Sequence, residues 1–73
     1  MTLFTHDGEE WLAIVTGWSA VAGEFCLGLL FEAQKTEREV FGRLRGIPPE
    51  QFGQATADQL RLALIAALSG DDD

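Results

Sequence analysis

One cysteine, Cys26, and one histidine, His6, are the only residues with which this 73-residue chain could staple itself together. No internal disulfide can form, and the two side chains cannot furnish the four ligands of a structural zinc site. Below about 70–80 residues a lone core seldom supplies more than roughly 3–5 kcal/mol of net stability. The chain must therefore pack one core very well or complete it with another subunit. Residues 1–70 are expected to form a single small domain, and Asp71-Asp72-Asp73 a solvated acidic tail.

Charge excludes further classes. Twelve Asp and Glu against five Lys and Arg give a net charge of −7. Affinity for a nucleic-acid backbone comes from excess positive charge, so direct nucleic-acid binding is not expected. An apolar fraction of 47% fits a globular chain and argues against disorder. The stretch from Trp11 to Phe31 is long enough to span a bilayer and carries one charge, Glu24. Lys35, Arg38, Arg43 and Arg45 follow it, as they would on the cytoplasmic side of a span. Against a small membrane-anchored subunit stand Gly17, Gly23, Gly28, Thr16, Ser19 and the near-central Glu24. That glutamate alone costs on the order of 2–3 kcal/mol in hydrocarbon. No Lys or Arg precedes the apolar run, where a secretory signal needs them, so the expected compartment is the cytoplasm. The absence of Asn and Tyr, with one Lys against four Arg, suggests a GC-rich bacterial coding background.

The expected fold is α+β: a small antiparallel sheet of three to four strands (about 2–6, 9–18, 24–33 and 38–45) with one C-terminal helix (about 57–69). Asp7-Gly8 between two strand-like runs signals a hairpin, because a type I′ turn needs positive φ at both central positions. A break is expected over Ser19–Gly23. Phe25, Leu27, Leu29, Phe31 and Ala33 then alternate with Cys26, Gly28, Leu30 and Glu32, as in a strand buried heavily on one side and partly on the other. Gln34–Glu37 suits a turn, after which Val40, Gly42 and Leu44 alternate with Glu39, Phe41, Arg43 and Arg45. The alternative is an all-α three-helix chain with helices over 9–22 and 24–46. It would bury Gly17, Gly28 and Gly42 in helix interiors at roughly 1 kcal/mol each relative to Ala. Pro48-Pro49 ends whatever precedes it, and Pro49 suits the start of a short helical turn. Thr56-Ala57-Asp58-Gln59 matches the capping box, and Gly70 stands where a left-handed C-terminal cap belongs.

Catalysis finds no footing in the residues, and neither an enzyme nor a cofactor is expected. A nucleophile needs a base, and His6 is the only imidazole. Cys26 lies in an apolar run, where a thiol is inert. Glu9 and Glu10 are adjacent on a strand and so point to opposite faces. The glycines fit no phosphate-binding spacing, and no metal site is expected.

Surfaces offer more. On a helical projection, Leu60, Ala63, Leu64, Ala67 and Leu68 form one apolar arc of the C-terminal helix, while Leu62, Ile65 and Ala66 lie on the other side. A helix that is apolar all round is normally enclosed, and one thin sheet covers one side. Either the N-terminal or Pro48–Phe52 segment wraps Leu62 and Ile65, or another protein does. Trp11 and Trp18 are candidate interface anchors and are expected on opposite sides of the sheet by simple alternation. Phe41, Arg43 and Arg45 share a strand face that could grip a carboxylate-rich partner. The expected function is a non-catalytic protein-interaction subunit or adaptor. It would self-associate or dock on a larger protein through Trp11, Trp18, Phe41, Arg43, Arg45, Leu62 and Ile65. An acidic inhibitor that mimics nucleic acid, using the carboxylates at Asp7–Glu10 and the tail, is the alternative.

Overall fold

The computed structural model describes residues 1–70; the acidic tail lies outside them. Four strands, β1 (Thr2–His6), β2 (Glu9–Val21), β3 (Glu24–Ala33) and β4 (Glu39–Arg45), are followed by a 3-10 helix (Pro49–Gln54) and α1 (Ala57–Ser69). The strands lie in chain order, each antiparallel to the next, so the sheet is a meander. This is the expected α+β arrangement, and the all-α alternative is excluded because residues 9–21 and 24–33 are strands.

Both tight turns follow from backbone chirality. Asp7 and Gly8 have φ of 53° and 77°, as the hairpin signal requires. The second turn departs from expectation. The broad break over Ser19–Gly23 is a two-residue turn, Ala22-Gly23, at φ of 53° and 80°, and β2 runs three residues beyond its expected end to Val21. Ala22 hides the turn from a sequence reader because L-residues other than Gly, Asn and Asp rarely enter the left-handed region, at a cost of roughly 1–2 kcal/mol.

A β-bulge also changes the geometry of β2. Val15 pairs with Leu29 but Gly17 pairs with Gly28, so Thr16 is an extra residue in the ladder. One extra residue inverts the side-chain alternation of everything after it. Trp11 pairs with Ala33 and Trp18 with Leu27, both on the same face of β3. The two tryptophans therefore face the same side of the sheet, not opposite sides.

That side is the core. Phe4, Trp11, Ala13, Leu27, Leu29, Phe31, Ala33 and Leu44 pack beneath Leu60, Ala63 and Leu64 of α1, with Phe52 of the 3-10 helix closing one end. Phe4 and Phe31 meet edge to face at 5.9 Å. Gly42 lets α1 come close: a Cβ there would lie 2.8 Å from the Phe31 ring and 3.2 Å from Ala67 Cβ. The helix is fixed at both ends. Thr56 Oγ1 accepts from the Gln59 backbone N–H at 3.2 Å, and the Thr56 N–H donates to Gln59 Oε1 at 2.8 Å. Gly70 provides the left-handed cap with φ of 76°. Arg61 pairs with Asp58 and donates through Nε to the Thr5 carbonyl at 2.6 Å, tying α1 to the β1 edge. Among the described residues one buried donor, Trp11 Nε1, has no acceptor, which costs on the order of 1–3 kcal/mol.

Candidate interaction surfaces

A single helix on a four-stranded sheet leaves two apolar surfaces to account for, the outer side of the helix and the far side of the sheet. On α1, Leu60 and Leu64 point inward, so Leu62 and Ile65 must point outward. Leu62 is 68% exposed and Ile65 44%. Neither the N-terminal strand nor the Pro48–Phe52 segment covers them, because Phe4 and Phe52 are turned into the core. Leu68, expected on the inner arc, is exposed at the helix end.

The far side of the sheet is set by register. Ile14, Leu30 and Phe41 are successive cross-strand partners and form a row across β2, β3 and β4. Leu3 and Leu12 pair beside it on β1 and β2. Ile14, Leu12 and Leu30 are half-buried, whereas Phe41 is 69% exposed and Leu3 is exposed. On one flank of the row lie Glu10, Glu32 and Glu39, with Glu32 opposite Glu39. On the other, Gly17, Gly28 and Arg43 form the next row, then Ser19, Cys26 and Arg45. Where the two glycines face each other the surface dips into a shallow hollow of about 360 Å³ lined also by Trp18, Ser19, Cys26 and Arg43. It continues into a second hollow of about 400 Å³ beside Arg45 and Glu24.

The seven residues singled out by sequence therefore fall in four places. Trp11 is 3% exposed and belongs entirely to the core, so it offers a partner nothing. Trp18 is 58% exposed on the helix side, where the β2–β3 hairpin overhangs the core and its ring meets Phe25 at 5.7 Å. Phe41, Arg43 and Arg45 lie on the open sheet face. Leu62 and Ile65 lie on the opposite side of the molecule. The helix patch and the sheet patch cannot both meet one flat partner.

Sequence reasoning missed Leu3, Leu12, Ile14 and Leu30. The signal available was the unbroken apolar run Trp11–Val15, which fills both faces of a strand.

The described residues offer little chemistry. None of their charged side chains is buried, and no cluster of His, Cys, Asp and Glu among them is placed to hold a metal ion. Cys26 is a free, half-buried thiol on the open face. Glu9 accepts a hydrogen bond from Thr36 Oγ1 at 3.2 Å and lies opposite His6 in the β1–β2 register, while Glu10 faces the other way. The run Trp11–Phe31, long enough on paper to cross a bilayer, is the β2–β3 hairpin, and no helix of the described residues is long and apolar enough to do so. Compared with protein-family models, with curated proteins and with solved structures, the chain matches none.

Proposed function

We propose that the protein is a non-catalytic interaction module that works by burying its exposed apolar surfaces against protein, either a second copy or a larger partner. One observation carries this. The described residues have a single core between α1 and the sheet, yet expose large apolar side chains on the outside of both layers: Leu62 and Ile65 on one, Leu3 and Phe41 on the other. Scattered single apolar residues are ordinary on a surface, but here they adjoin half-buried apolar neighbours in contiguous patches, which mark interaction sites. Mimicry of nucleic acid is less well supported. Asp7 lies in a turn, Glu9 on the helix side and Glu10 on the open side, so these carboxylates do not line one surface.

Native co-isolation from source cells tests the proposal. The expected result is a stoichiometric protein partner or homo-oligomer, lost on Leu62→Ser with Ile65→Ser or on Phe41→Ser, with the isolated fold unchanged. A chain that remains monomeric and unaccompanied at its cellular concentration overturns it.

A further inference from the structure

We propose that the open sheet face pairs with the same face of a second copy, about a twofold axis that lies in the interface and runs across the strands along the Ile14–Leu30–Phe41 row. This rests on the interaction role proposed above and names its occupant. The charge pattern points to self-pairing. Three glutamates, Glu10, Glu32 and Glu39, flank the apolar row on one side, and Arg43 and Arg45 flank it on the other. Glu24 stands farther out, at the hairpin tip. Both arginines already interact within their own chain; what orders the two copies is the sign of each flank.

A closed dimer has an isologous interface, in which one patch meets its own image. Two faces can be laid together about an axis parallel to the strands or one perpendicular to them. The parallel axis lays the acidic flank of one copy along the acidic flank of the other and the basic flank along the basic, so no opposite charges meet. The perpendicular axis sets Glu39 against the partner's Arg43, with Phe41 of each copy meeting at the axis, and like-charge contacts vanish. Shape follows charge. The same axis lays the row containing Leu12 and Glu32 over the hollow at Gly17 and Gly28, where a Cβ on Gly17 would meet nothing within 4 Å. Sheets packed face to face sit about 30° from parallel, which moves these partners sideways by less than one strand spacing.

Area is sufficient for a modest dimer. Four strands about 4.8 Å apart and seven residues at about 3.4 Å give a footprint of roughly 450 Å² on each copy. Side-chain relief raises the two-sided total to the ~1,000 Å² that a biological interface must clear, below the standard size and in keeping with a weak dimer. Edge pairing of β4 with its own image would also oppose Glu39 and Arg43, but it would leave Leu3, Leu12 and Ile14 uncovered.

Sedimentation equilibrium on the full chain decides the matter. A dimer is expected at tens of micromolar. Glu39→Arg and Arg43→Glu should each weaken it by about tenfold or more, because each creates like-charge contacts across the axis. An equimolar mixture of these two variants should recover the dimer as a heterodimer, and so should the double variant with itself. Ile14→Lys should also abolish pairing, with circular dichroism confirming the fold, while Leu62→Ser should leave it intact. A chain that stays monomeric to about 100 µM overturns the dimer. So does pairing that survives Ile14→Lys, or that is lost on Leu62→Ser. A monomer that still co-isolates with a different protein removes this inference alone and leaves the interaction role standing.

Discussion

The two faces of the sheet are written by the same alternation of residues and end in opposite conditions. On the covered face Phe31, Leu27 and Leu29 are wholly buried, each touching neighbours on every side. On the open face Phe41, Leu30 and Ile14 are as apolar but have protein on one side only. Strand alternation determines which residues share a face. Whether that face becomes core depends on what the chain has left to lay over it, and one helix covers one face. The open face therefore contributes less to folding of the lone chain than the covered one.

Substitutions on the two faces measure that contrast. Phe31→Ala on the covered face should destabilise by about 3–5 kcal/mol, since the cavity sits at the centre of a packed layer. Phe41→Ala should cost about 0.5 kcal/mol or less at concentrations where the chain is monomeric. Urea unfolding of both at low concentration checks this, and equal losses would break the contrast. Gly42→Ala should cost about 1–3 kcal/mol, because the new methyl meets the Phe31 ring, which is buried and cannot withdraw. A neutral result would mean that α1 is free to ride higher over β4. Thr56→Ala should lose about 1 kcal/mol by removing the capping box, read as a lower midpoint in the same titration. One effect has the opposite sign. Ala22→Asn, which tolerates positive φ ahead of Gly23, should raise stability by about 0.5–1 kcal/mol.

Much of the fold was legible because its signals are local. The alternation in Phe25–Ala33 and Val40–Leu44 placed β3 and β4 on the correct faces. Asp7-Gly8, Thr56 with Gln59 and Gly70 marked a turn and both ends of α1 through the backbone conformations those side chains favour. Two backbone departures carried no side-chain signature. Ala22 holds a left-handed conformation that its type disfavours, and Thr16 inserts into the ladder without a sequence marker. The second error propagated, because every residue after a bulge changes face, and it misplaced Trp18. The candidate site was legible in pieces. Phe41, Arg43 and Arg45 were seen to share a face, and Leu62 with Ile65 to lack cover. The row that joins Phe41 to Leu30 and Ile14 depends on register between strands far apart in the chain, which one strand's pattern cannot supply.

The placement of the two indoles has a practical consequence. Trp11 lies buried in the core and Trp18 is largely exposed on the overhanging β2–β3 hairpin, though both project from the same side of the sheet. Their fluorescence must therefore differ: a blue-shifted emission shielded from aqueous quenchers for the first, a red-shifted and quenchable one for the second. With no tyrosine in the chain, all of the emission comes from these two indoles, and an aqueous quencher that silences Trp18 leaves Trp11 to report on the core.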